Sequence, residues 1–219
     1  MRLDPGRLRR ALQAAAVAAA LAPLALLAAR TSGVAGDLGA NPVETLSHAT
    51  GDWALRFLLA CLAVTPLRFA LRLAALAPLR RTLGLAAFGW ACLHVLVWAA
   101  LDLGLDVRAM LEDVRERRYV LAGMTAFLCL APLAATSTRA AQRRLGSRWK
   151  TLHRLVYVAA AAAVTHYLWL VKADLLAPAS CAALLALLLG ARLRRRRAAA
   201  PQRPETFGAC TSATSPKSS

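Results

Sequence analysis

Residues 83–101 read LGLAAFGWACLHVLVWAAL and residues 155–171 read LVYVAAAAAVTHYLWLV. Neither stretch holds a charged residue, and each holds one histidine, His94 and His166. A helix rises about 1.5 Å per residue, and about 17–25 apolar residues cross a bilayer. Both stretches therefore read as transmembrane helices. Four more runs share the pattern: Ala11–Ala29, Trp53–Leu71, Tyr119–Ala135 and Leu175–Ala191. The predicted fold is an all-α membrane protein, a six-transmembrane-helix bundle over residues 1–191. Trp53–Leu71 is interrupted by Arg56, Pro66 and Arg68. The two arginines lie near its ends, where long side chains snorkel to the interfaces. A membrane proline is tolerated where a neighbouring helix satisfies the carbonyl it frees.

The composition supports a membrane setting. Of the 219 residues 58% are hydrophobic, yet 28 Lys+Arg stand against 11 Asp+Glu, a net charge of +17. Soluble domains are about 45–50% apolar, and disordered chains combine low hydrophobicity with high charge, so neither class fits. The basic residues sit at the ends of apolar runs rather than in one patch, which argues against nucleic acid as a partner. With the first helix starting inside, 21 basic residues and two acids (Asp4 and Glu205) fall on the cytoplasmic side. The outer side keeps seven basic residues and nine acids. This is the positive-inside pattern, with both termini cytoplasmic. The first run exceeds the roughly 7–15 residues of a signal-peptide core, so it reads as a retained anchor. Residues 192–219 read as a basic, disordered cytoplasmic tail. No internal repeat is visible.

No Asp or Glu falls inside the core of any span, so histidines are the intramembrane candidates for function. His94 and His166 each lie 11 residues into helices that run from inside to outside. Both are then about 16 Å past the inner edge. Two imidazoles at one depth suit axial ligation of a b-type haem better than a zinc or dinuclear site, for which no carboxylate or thiolate cluster is present. The bland alternative is two histidines bonded to unrelated partners. His153 lies 13 residues before His166, roughly 19.5 Å along a helix and about 140° around it. The position 13 before His94 is Arg81, so a second bis-histidine site is one ligand short. Sequence leaves two roles open for His153: a ligand with an unidentified partner, or a contact to a propionate or phosphate. Arg80, Arg81, Arg148 and Arg154 suit either anion.

The remaining features are less specific. Cys61, Cys92, Cys129, Cys181 and Cys210 form no CxxC pair and read as small packing residues. His48 reads as an outer-loop residue between turns at Asn41-Pro42 and Thr50-Gly51. In the outer loop Asp102–Arg118, residues 107, 110, 111 and 114 keep helical spacing. Either a helix lying on the membrane surface or a solvated connecting helix fits them.

Three segments resemble a known family: GANPVETLSHATGDWALRFLLACLAVTPLR, RRTLGLAAFGWACLHVLVWAALDLGLD and TSTRAAQRRLGSRWKTLHRLVYVAAAAAVTHYLWLVK. They are similar to the haem-binding membrane subunit of the protein-methionine-sulfoxide reductase system, the MsrQ family, within the ferric-reductase-like transmembrane domains. The likeness runs from about Leu38 to Lys172 and omits the tail. It implies a multi-pass protein of the cell inner membrane that carries heme b, with FMN also implied by the resemblance. It implies electrons arriving from the quinone pool or a flavin reductase. They leave for a periplasmic molybdopterin-dependent methionine sulfoxide reductase subunit, which repairs oxidised envelope proteins. The chain would be an electron-transfer subunit rather than the catalytic one, with its Asp102–Arg118 loop contributing to docking. His94, His153 and His166 would be the axial ligands of haem iron. The alternative is a stand-alone ferric- or quinone-reductase-type cytochrome b. Such reductases often append a soluble FAD/NAD domain, and no GxGxxG element occurs here.

Overall fold

A computed structural model describes residues 5–198. The chain folds into α1 (Pro5–Thr31), α2 (Pro42–Ala70), a 3-10 turn (Ala74–Leu76) and α3 (Leu79–Leu96), which a π-helical turn continues (Val97–Asp102). There follow α4 (Val107–Glu116), α5 (Arg118–Ala135), α6 (Arg139–Leu145), α7 (Ser147–Leu152), α8 (Leu155–Leu170) and α9 (Leu176–Ala198). Among the described residues there is no strand.

Five helical segments are long and apolar enough to cross a membrane: Gly6–Thr31, Pro42–Ala70, Ala74–Asp102, Arg118–Ala135 and Leu176–Arg195. The remaining expected crossing, α8, has 16 residues, because Val171 turns to extended backbone (φ −87°, ψ 120°). At helical rise it spans about 24 Å. Large apolar side chains such as Leu21, Leu96, Leu121, Leu128 and Leu187 are more than half exposed. Such a surface belongs in lipid rather than water, and the chain is a multi-pass membrane protein. Helix α9 continues through Arg192 to Ala198, so the boundary expected after Ala191 falls within a helix. The rest of the expected tail, residues 199–219 with Cys210, lies outside the described residues.

Helix α2 starts at Pro42, well before its apolar run. Asn41 caps it: its Oδ1 accepts from the Glu44 N–H at 3.3 Å, and its Nδ2 donates to the Glu44 carboxylate at 3.0 Å. Proline at the first helical position is pre-set for this start. His48, Thr50 and Gly51 are therefore helical, which corrects the loop and the second turn expected there. Asn-Pro opens helices as readily as it opens turns, and only the following residues decide.

The bundle is built from two tightly packed helix pairs, α2 with α3 and α5 with α8. In the first pair Gly51 meets His94, and ten residues on Cys61 meets Gly84 ten residues back, the mark of antiparallel helices. The pairs join through α3–α5 and α2–α8 contacts, including a stack of Phe88 on Phe127 at 5.8 Å. Helix α9 packs on α2 and α8, and α1 on α3. Leu58, Leu62, Ala87, Ala159 and Ala160 are at most 2% exposed. Small residues at such seams let membrane helices approach closely.

Pro66 shows how the bundle tolerates a proline. It cannot donate to the carbonyl of Leu62, four residues back. Arg192 of α9 donates to that carbonyl instead, Nη2 to O at 2.6 Å, and its Nη1 donates to the Tyr157 hydroxyl at 2.8 Å. The arginine that ends the last span thus mends the second.

Candidate functional site

His94 and His166 come together. Their ring centres lie 6.1 Å apart, with the planes at 75°. They face a cavity of about 520 Å³ whose wall includes Ala54, Leu58, Ala91, Phe127, Leu130 and Ala163. Each histidine lies on the second helix of its pair, His94 on α3 and His166 on α8.

Each ring is fixed by its Nδ1. His94 Nδ1 donates to the Ser47 carbonyl at 3.0 Å, with the Thr50 hydroxyl 3.3 Å away. His166 Nδ1 donates to the Tyr119 carbonyl at 2.6 Å. Donation from Nδ1 sets the tautomer and leaves Nε2 with a lone pair. Neither Nε2 has a hydrogen-bond partner among the described residues. A metal-ligating histidine is held this way, its second nitrogen donating to a carbonyl.

With ring centres 6.1 Å apart, both imidazoles are near enough to reach one metal at bonds of about 2.0–2.1 Å. Among the described residues no three His, Cys, Asp or Glu side chains gather to hold a bare ion. Two protein ligands facing an apolar cavity fit a metal whose remaining ligands come from a planar macrocycle, as in haem.

Two glycines make room for the rings. A Cβ on Gly51 would lie 3.1 Å from His94 Cε1, and one on Gly123 would lie 2.8 Å from His166 Nδ1. Sequence reading assigned Gly51 to a turn and passed over Gly123. The available signal was a glycine inside a helical apolar run, which marks close approach of another group.

These contacts repeat. In each helix pair a carbonyl is followed four residues later by glycine, and 47 residues after the carbonyl by the histidine it holds. Ser47, Gly51 and His94 lie 72 residues before Tyr119, Gly123 and His166. Ala87 and Ala159, at the same offset, are both fully buried. The correspondence lies in these contacts and spacings and is too sparse to form a repeat along the sequence.

His153 lies elsewhere. It caps the end of α7 and stacks on Trp149 at 3.9 Å between ring centres. Its Nδ1 donates to the Trp149 carbonyl at 3.2 Å, and its Nε2 has no hydrogen-bond partner among the described residues. Burial pushes its pKa below the ordinary value, the Trp149 bond opposes this, and the Arg80 charge adds to it. It is not part of the His94–His166 cavity. His48 is exposed at the mouth of that cavity, with Asn41, Glu44 and Asp52.

Helix α4 borders the same mouth through Asp113. Asp106 caps it, accepting from the N–H groups of Arg108 and Ala109 at 2.8 and 3.2 Å. Met110 and Val114 are half-buried, while Val107 and Leu111 are exposed. Between them Asp113 is buried: it accepts from Trp98 Nε1 at 3.0 Å and pairs with Arg117 Nε at 2.9 Å. Arg117 also donates to the Tyr119 hydroxyl at 3.1 Å. That bond and the Asp113 carboxylate hold its guanidinium more firmly protonated than usual. The helix expected from spacing is present, and an ionic pin that spacing could not reveal fastens it to the bundle.

Comparison with known proteins agrees with this architecture. Residues 50–164 match the family described as ferric reductase like transmembrane component. A Rhodospirillum rubrum protein named protein-methionine-sulfoxide reductase heme-binding subunit MsrQ is 48% identical over 184 residues, 82% of this chain and 88% of its own. Proteins of the same name from Bordetella pertussis (48%, covering 74% of this chain and 82% of that one) and Xanthomonas euvesicatoria (45%, 82% and 84%) are similar too. No solved structure matches the chain. With such identity over most of its length, and a family match that runs from within α2 into α8 and covers more than half of the chain, the chain belongs to the MsrQ family of ferric-reductase-like transmembrane proteins.

Proposed function

We propose that this chain is the haem-binding electron-transfer subunit of a methionine sulfoxide reductase system. The observation that carries this is the His94–His166 pair, two Nδ1-anchored imidazoles 6.1 Å apart over an apolar cavity. Bound b-type haem would supply one-electron chemistry. His94 and His166 would hold it, one imidazole from each helix pair. The Ser47 and Tyr119 carbonyls fix the two tautomers and raise the ligands' basicity. The apolar wall excludes water and keeps the dielectric low.

His153 is the third ligand in this proposal, a single imidazole for a second haem at the inner end, supported by an Nε2 that has no hydrogen-bond partner among the described residues. The names of the relatives support haem and a methionine sulfoxide reductase partner. We take that partner to be periplasmic and molybdopterin-dependent, and the electron source to be the quinone pool or a flavin reductase. Six crossings of the inner membrane with cytoplasmic termini, α8 being the short one, follow from the charge distribution. This puts α4 and the cavity mouth on the periplasmic side, where the acceptor docks. Among the described residues no arrangement singles out an FMN site.

The test is reoxidation. The purified protein, chemically reduced, is mixed with the periplasmic reductase from the same organism and methionine sulfoxide. The b-type absorbance should decay several-fold faster when both are present. No acceleration with an active reductase would overturn the proposal and favour a stand-alone ferric or quinone reductase.

A further inference from the structure

Asp113 and Thr50 are the buried polar or charged residues among the described ones, and Asp113 alone of the two is ionisable. Asp113 is 8% exposed and lies on the wall of the cavity that His94 and His166 share. Its two oxygens are fully engaged, one by Arg117 Nε at 2.9 Å and the other by Trp98 Nε1 at 3.0 Å. Both partners lead to the imidazoles. Trp98 stands four residues beyond His94, in the π-helical turn. Arg117 bonds the hydroxyl of Tyr119, whose carbonyl holds His166. The counter-charge is unequal in its surroundings: the Arg117 side chain is 55% exposed against 8% for Asp113. Water and salt screen the exposed cation far more than the buried anion. The cavity therefore feels a net negative charge from a pair that is formally neutral.

We propose that Asp113 sets the reduction poise of the centre held by His94 and His166, with Arg117 as its partly screened counterweight. This rests on the haem reading above. A fixed negative charge in a low-dielectric site disfavours an added electron, so Asp113 holds the centre toward stronger reducing power. That is the direction an electron donor needs.

The sign of the effect separates tuning from simple clamping. In Asp113→Asn the reduced-to-oxidised ratio at fixed poise should rise about three- to tenfold, where tenfold equals 59 mV for a one-electron couple. In Arg117→Gln it should fall, by less than about threefold because that charge is screened. The double variant should lie between the two. The readout is potentiometric titration of the absorbance, not turnover. A second readout needs no haem: trypsin cleavage within residues 108–118 of haem-free protein, which reports whether α4 has come loose. Opposite shifts in the two single variants, with α4 still protected, support the proposal. Shifts of the same sign, or none, in protein that retains its b-type bands would overturn it. Absence of those bands from the wild type would overturn the haem reading instead.

Discussion

The two helix pairs, α2–α3 and α5–α8, match at one end and differ at the other. At one end each offers a carbonyl, a glycine and a histidine at identical spacings, and the two histidines meet. At the other end the resemblance is lost. The second pair has α6, α7 and His153 stacked on Trp149. The first has a 3-10 turn, a thiol–carbonyl bond from Cys61 to Arg80 at 3.2 Å, and Pro66 mended by Arg192. The position 72 residues before His153 is Arg81, which is exposed. A site needing two equal ligands keeps both halves alike, whereas a lone imidazole leaves its counterpart free to change.

The largest expected effect strikes the matched end. Gly123→Ala places a methyl 2.8 Å from His166 Nδ1, so either the ring or α5 must move. Disturbing the partner of a metal ligand costs about 10–100-fold in affinity, and haem retained through detergent washing should fall accordingly. Gly51→Ala, at 3.1 Å from His94 Cε1, should be milder. Equal, undiminished haem in both variants would break the idea that the repeated glycines serve the rings.

A smaller effect is expected at the unmatched end. Arg192→Leu strands the Leu62 carbonyl and the Tyr157 hydroxyl. A buried polar group left unpaired costs about 1–3 kcal/mol, which should lower the thermal midpoint in detergent by roughly 2–4 °C per kcal/mol. Pro66→Ala restores a backbone donor for that carbonyl, so the loss should shrink in the double variant. An undiminished loss there would show that Arg192 acts otherwise.

What was legible in the sequence follows the physics of single helices. Helical spacing alone put His94 and His166 eleven residues into their apolar runs, and the structure brings the two rings together. What was missed depends on partners far along the chain. Gly51 and Gly123 acquire meaning only from rings 43 residues downstream in each case. Asp113 looks like any loop acid until α4 turns it inward against Trp98. His48 looked like a loop residue because Asn41-Pro42 suits a helix start and a turn equally well.

The central claim is that His94 and His166 together hold one haem while His153 stands apart from it. The most direct measurement is haem content with a reduced-minus-oxidised spectrum of detergent-purified wild type, His94→Ala, His166→Ala and His153→Ala, each made with ample haem supply. The account predicts that either of the first two substitutions abolishes the same spectral component, and that His153→Ala leaves that component in place. Retention of the full wild-type spectrum in both His94→Ala and His166→Ala would contradict it.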